Sequence, residues 1–203
     1  MEKVTKKQIA RERSMERLTQ AAFRLFVRTG YHATTLESIA LDAKYTKGAV
    51  YFYFKSKKNL GLYLIQILRK EIVTPLVAAI QDTEGTVKDK VIAYIHRGAN
   101  FGIERPYQLL FMILIAVEFA GQDDEISKGI RSLYAELHDA LENAVREGQQ
   151  NGTTSQEVAP REFASMVIAV HDGMMLEKHI RGDEIDGPEL VRHVRKMLLK
   201  GIA

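Results

Sequence analysis

The sequence predicts an all-α protein of about nine helices. Apolar residues recur at helical spacing nearly throughout, no segment alternates apolar and polar as a half-buried strand would, and the breaks fall at caps, prolines and glycines. Thr5 with Gln8 makes a capping box that opens the first helix, and Gly30 closes it. Leu18, Ala21, Ala22, Leu25 and Phe26 form its apolar stripe. Thr34 with Glu37 makes a second box, starting a short helix through Ile39 and Leu41. Thr46 caps a third helix over about 47–53. Ser56 caps a fourth, whose stripe Leu60, Leu64, Ile67, Leu68 and Ile72 runs to a kink or an end at Pro75. After the break "QDTEGT" the helical pattern resumes over 87–103, and Pro106 opens the next helix over 106–120. Asp123, Asp124 and Glu125 put negative charge at the start of another, as the dipole favours. Its stripe of Ile126, Ile130, Leu133, Leu137, Leu141, Ala144 and Val145 ends at "GQQNGTTS". Two last helices cover 160–181 and 188–200, each opening on a proline.

Composition narrows the function. With 203 residues, 46% hydrophobic and 27% charged, the chain makes one or two domains with a substantial core. There is no cysteine, which excludes disulfides, thiolate metal sites and cysteine nucleophiles. The charged N-terminus has no apolar signal region, and the longest apolar run, 109–117, falls short of the ~20 residues of a membrane span. The expected location is cytoplasmic, with no membrane partner. No G-x-S-x-G, P-loop or dinucleotide fingerprint occurs, so no catalytic residue, cofactor or enzyme activity is expected. The net charge of +3 conceals an asymmetry: residues 1–60 carry 13 Lys and Arg against 5 Asp and Glu, while 61–203 carry 16 against 21. A basic first third on an acidic body suggests an end that meets a polyanion, the alternative being a solvated basic face.

The stretch "TTLESIALDAKYTKGAVYFYFKSKKNL" sharpens this. Two short helices joined by "DAKY" fit a helix-turn-helix, whose second helix enters a DNA major groove. Leu36, Ile39, Ala40, Val50 and Phe54 would lock the pair onto the first helix. Thr46, Lys47, Gly48 and Ala49 would form the exposed N-terminal end of the recognition helix, where backbone amides and the dipole favour phosphate. Gly48 allows close approach, Ala49 can meet a thymine methyl, and Tyr51, Tyr53 and Lys57 can donate to phosphate. The alternative is a structural hairpin with core aromatics.

"AAFRLFVRTGYHATTLESIALDA" followed by "TKGAVYFYFKSKKNL" resembles the DNA-binding domain of the TetR family of bacterial regulators, over roughly residues 11–62. The resemblance implies a helix-turn-helix domain over 1–55 and a helical ligand-binding and dimerisation domain over 56–203. It implies backbone anchoring by Thr35, base or phosphate contacts from Tyr45, Thr46, Lys47, Gly48 and Ala49, and phosphate contacts from Tyr51, Phe52 (through its backbone), Tyr53 and Lys57. The family's turn usually reads alanine, glycine, small aliphatic; here it is Ala43, Lys44, Tyr45. A left-handed lysine costs ~1 kcal/mol, so either the turn differs or strain places Lys44 and Tyr45 against DNA.

The last two helices carry Phe163, Met166, Val167, Val170, Met174 and then Leu190, Val194, Met197, Leu198. The resemblance implies a homodimer through this pair, presenting two recognition helices to a pseudo-palindromic operator in double-stranded DNA. The middle helices interleave apolar residues with polar tips, as a small-molecule pocket does. Its candidate lining is Ile72, Tyr94, His96, Tyr107, Phe111, Met112, Ile115, Glu118, Tyr134, His138, Met166 and His171, with ordinary core packing as the alternative. The expected function is a regulator, as the family usually represses, released from its operator by a hydrophobic small molecule. Alternatives are a non-specific or architectural DNA binder, and a metal-responsive regulator using His96, His138 and His171 with Asp139, Asp172 or Glu118.

Overall fold

A computed structural model describes residues 5–200, with side chains placed through Leu198. Residues 1–4 and 201–203, the outer ends of the two expected domains, lie outside the described range. Among the described residues there are helices and no strand. They are α1 (Lys6–Thr29), α2 (Leu36–Asp42), α3 (Lys47–Phe54), α4 (Lys57–Leu68), α5 (Thr74–Gln81), α6 (Val87–Glu104), α7 (Pro106–Glu118), α8 (Glu125–Gln150), α9 (Pro160–Arg181) and α10 (Gly187–Lys200).

Helices α4 and α5 follow one another without a break in the chain, so among the described residues nine helical segments stand where nine were expected. The kink or end expected at Pro75 is a π turn instead, Arg69–Val73, in which the Thr74 amide reaches back to the Arg69 carbonyl. Proline lacks the N–H that would continue the α ladder and crowds the carbonyl four residues before it; the wider turn takes up both effects without stopping the helix. Arg69 Nη2 donates to Ser132 Oγ of α8 at 2.9 Å, and Arg105 pairs with Glu71, so the turn is held from two sides.

The Thr5–Gln8 box, Gly30 and Thr46 act as expected: Thr5 Oγ1 accepts from the Gln8 amide, Gly30 stops α1 at φ 83°, and Thr46 Oγ1 accepts from the Ala49 amide. Ser56 Oγ likewise accepts from the Asn59 amide. The second box is displaced by one residue. Thr34 is buried and its hydroxyl donates to the Gly30 carbonyl at 2.7 Å, so the extended Thr35 becomes the cap and Ser38 replaces Glu37 as its partner. Glu37 is thereby released for another role.

The chain divides into two compact units. The first comprises Met1–Ile67 with Phe111–Ile130, the second Leu68–Leu110 with Arg131–Ala203. Their outline differs from the 1–55 and 56–203 division expected on functional grounds, because most of α7 and the start of α8 belong with the N-terminal helices. In the first unit Leu18, Ala21, Ala22, Phe26, Leu36, Ile39, Ala40, Val50 and Phe54 are buried, as the stripes required. Leu25 stays partly exposed, and Phe23 is buried in its stead. The reason is Phe111, whose ring lies 5.4 Å from both Phe23 and Phe26.

In the second unit Leu68, Ile72, Leu76 and Ile80 form a buried line along the α4–α5 segment, and α6 and α9 approach closely. A Cβ on Gly98 would lie 2.1 Å from His171 Nε2, and one on Gly102 2.8 Å from Met175 Sδ. Two glycines one turn apart on α6 thus seat two side chains one turn apart on α9. No helix among the described residues is long and apolar enough to cross a membrane.

Candidate nucleic-acid interface and effector site

The first unit builds a helix-turn-helix from α2 and α3. The turn puts Lys44 in the left-handed region at φ 61°, so the strain anticipated there is present. The amides of Lys44 and Tyr45 return to the Leu41 and Ala40 carbonyls, closing the turn tightly. Tyr45 folds back, its hydroxyl 3.1 Å from Ser14 Oγ of α1, so its polar end serves the packing of the unit rather than an outward contact. Lys44 is exposed.

Thr46, Lys47 and Gly48 are exposed at the N-terminus of α3, and Ala49 is half-buried beside them. Gly48 is the informative residue. It has no positive φ, and the atom nearest to an added Cβ is Thr46 Oγ1 at 3.9 Å, so nothing inside the protein requires a glycine. A glycine in a helix costs about 0.5–1 kcal/mol against alanine, and here the fold offers no return. Farther along α3, Phe52 is 76% exposed and Tyr51 39%, while Tyr53 is half-buried with its ring 5.3 Å from that of Phe52.

Lys57 departs from expectation. Its ammonium donates at 2.9 Å to each of three carbonyls, those of Tyr31, His32 and Thr34, and lies 4.8 Å from the centre of the Tyr31 ring. Three donors meet three acceptors, so the charge closes the loop after α1 and is not presented to phosphate. Glu118 is likewise drawn from the expected pocket into this loop, accepting from the Tyr31 and His32 amides at 2.9 and 2.8 Å. Burial and the nearby Asp124 and Glu118 carboxylates push the Tyr31 phenol up to about 12. Phe111, Met112 and Ile115 are buried core residues of the first unit.

The second unit brings three of the expected pocket residues together. Tyr94 of α6, Tyr134 of α8 and His171 of α9 surround Asp172, a residue considered from sequence only as a metal alternative. Tyr134 donates to Asp172 Oδ2 at 2.8 Å, and His171 Nδ1 lies 3.3 Å from Asp172 Oδ1. The Tyr94 and His171 rings are 5.2 Å apart. Burial, aided by the Asp172 charge, raises the pKa of both tyrosines. Tyr94 Oη and His171 Nε2 are buried with no hydrogen-bond partner. Such atoms are uncommon and costly, on the order of 1–3 kcal/mol each. Ile72 is buried in the same unit.

Other candidates are placed elsewhere. His96 is exposed, with Nε2 3.2 Å from Arg195 Nη1, and Met166 lines a surface cleft of about 380 Å³ with Glu162 and Phe163. Tyr107 and His138 are half-buried. Among the described residues no three His, Asp or Glu converge to hold a metal ion, and His96, His138 and His171 are dispersed.

The comparisons with known proteins follow this geometry. Residues 18–64 match the family described as bacterial regulatory proteins, tetR family, and residues 115–202 match the BetI-type transcriptional repressor C-terminal family. The chain belongs to the TetR family. The crystal structure of the MbdR regulator from Azoarcus sp. CIB is 33% identical, with 94% of this chain and 99% of that chain covered and a TM-score of 0.84. The transcriptional repressor NemR of Escherichia coli (strain K12) is 23% identical over 188 residues, 90% of this chain and 92% of that one. The regulator FadR from Bacillus subtilis, solved in complex with stearoyl-CoA, shares the fold at 20% identity and a TM-score of 0.74, with 93% and 99% covered. The protein is therefore a helix-turn-helix transcriptional regulator of the TetR family. Its family and relatives are regulators rather than enzymes.

Proposed function

We propose that this TetR-family protein binds a pseudo-palindromic operator as a homodimer and leaves it when a hydrophobic small molecule enters the second unit. The observation that carries the DNA face is Gly48, an exposed helical glycine whose added Cβ would meet only Thr46 Oγ1, at 3.9 Å, beside Lys47. Thr46, Lys47, Gly48 and Ala49 approach the groove, Thr35 contributes the N-terminal end of α2, and Tyr51, Tyr53 and the Phe52 backbone meet phosphate. Lys44 stands at the edge of this face. A DNA-binding regulator of this kind works in the cytoplasm.

The proposed dimer interface lies on α9 and α10. Met166 is 44% exposed, Ile180 72% and Met197 72%. Met166, Val170, Gly173, Glu177 and Ile180 recur along one outer side of α9, and an added Cβ on Gly173 would meet nothing within 4 Å. A small residue in the middle of a partly apolar outer face suits a closely approaching second copy.

For the effector, the unpaired Tyr94 hydroxyl and His171 Nε2 support a ligand whose polar end hydrogen-bonds within the α6–α8–α9 cluster while its apolar remainder lies among the surrounding core. The stearoyl-CoA bound by FadR, an amphiphile with a long apolar tail, supports an effector of that general character. Binding would bias the α4–α5 segment, whose residues belong partly to each unit, with a coupling of typically 1–3 kcal/mol. Family membership weighs against an architectural DNA binder, and the dispersed histidines weigh against a metal effector.

The test is a footprint of the purified protein on the DNA flanking its own coding region. Protection of a pseudo-palindrome with half-sites about one helical turn or a multiple apart is expected. Uniform, weak coverage of that DNA and of selected random duplexes alike would contradict sequence-specific regulation.

A further inference from the structure

Glu37 is the unexpected member of the proposed DNA face. It lies in the first turn of α2, half-buried, and a single carboxylate oxygen accepts two bonds from α3. Lys47 Nζ approaches Oε1 at 2.6 Å, and the Tyr51 hydroxyl donates to the same atom at 3.0 Å. Lys47 Nζ also stands 5.6 Å from the centre of the Tyr51 ring. Lys47 and Tyr51 are four residues apart on α3 and share a side, so the three groups close a triangle. None of them contributes to the core. The Lys47 bond, the residue's own amide and the Tyr51 bond together hold the Glu37 carboxyl down at about 2.

A negative group among cations that are to meet phosphate weakens their attraction for DNA in general. It also imitates phosphate: an oxygen taking an ammonium and a phenol is what the DNA backbone would offer the same two side chains. We propose that Glu37 is an autoinhibitory contact, an internal competitor for the DNA backbone that occupies Lys47 and Tyr51 in the free protein and must be given up before either can meet phosphate. The proposal rests on the DNA face described above. Where Lys47 stays on the carboxylate, one phosphate contact is suppressed. Where α3 is fully seated, the phosphate bond is gained net of the carboxylate bond given up. Glu37 thereby lowers affinity for DNA of any sequence.

The experiment compares wild type with Glu37→Gln, Lys47→Gln and Tyr51→Phe. Each is titrated against a random-sequence duplex and against the duplex the wild type enriches most from a randomised library, over a range of salt. Glu37→Gln keeps the shape and removes the charge. It is expected to tighten binding to both duplexes about two- to fivefold, the range of an exposed ion pair, and the enriched duplex at least as much as the random one. The salt slope on the random duplex should steepen by about one unit. Unchanged affinity on both duplexes, or tightening on the random duplex alone, would overturn the proposal. Lys47→Gln and Tyr51→Phe serve to separate the two levels of the argument. If neither weakens binding to the enriched duplex, the DNA face itself is misplaced and the proposal falls with it. If both do and Glu37→Gln behaves like wild type, only the role of Glu37 falls.

Discussion

At the scale of single residues, Lys57 holds the loop between α1 and α2 through three carbonyls. Lys57 was legible as a cation at a helix N-terminus, which for a DNA-binding domain suggests phosphate. Its three carbonyl acceptors come from the loop between α1 and α2, some 25 residues away in the chain, and no local spacing reveals them. Glu118 illustrates the same limit across 87 residues, from α7 to Tyr31. Thr34 and Thr35 differ only in which side chain is buried, and that depends on the Thr29 and Gly30 contacts rather than on the capping pattern. The Lys57 geometry makes a definite prediction. Lys57→Met removes three charge-assisted bonds, two of them part-buried, and should cost about 2 kcal/mol of stability, read as a lower urea midpoint. A variant of unchanged stability but shallower salt dependence on DNA would return Lys57 to the phosphate contacts.

At the scale of elements, helix starts and stripes were readable because caps, prolines and periodicity are local signals. The π turn was not, since Pro75 permits an end, a kink or a widened turn, and the choice rests on the Arg69–Ser132 and Arg105–Glu71 pairs. The helix crossing of α6 and α9 was also hidden. Gly98 and Gly102 read as weak points in a helix until His171 and Met175 are seen against them. Gly173 of α9 is the opposite case, with open space beyond it. An added Cβ there meets nothing of its own chain within 4 Å and the position lies on the outer side of α9, so a tryptophan should leave the protomer folded while the proposed α9–α10 interface is blocked. Sedimentation of Gly173→Trp should give the monomer where the wild type gives the dimer. A dimer of undiminished affinity would move the interface elsewhere.

For the whole molecule, the all-α fold and the helix-turn-helix were legible in full, whereas the buried cluster around Asp172 was half-legible. Tyr94, Tyr134 and His171 were among twelve candidates, and only the fold selects them and adds Asp172. Their burial has a measurable consequence. Tyr94 and Tyr134 both have folded-state pKa values raised above 10, by desolvation first and the Asp172 charge second. The unfolded chain ionises near 10 while the folded one does not, so this contribution is intact below pH 10 and lost above it. Stability should decline above pH 10 by up to about 1.4 kcal/mol per pH unit for each phenol, and Tyr134→Phe should make the decline shallower. A flat profile to pH 11 would show that these phenols are not held neutral.

The central claim is that the N-terminal turn of α3 is kept bare for DNA, and Gly48→Ala tests it most directly. The fold has room for the methyl group, so the variant should gain about 0.5 kcal/mol of stability. The same methyl stands where the nucleic acid must approach, so affinity for the footprinted site should fall about tenfold or more, the equivalent of 1.4 kcal/mol. A variant that is more stable and binds that site as tightly as wild type would contradict the account.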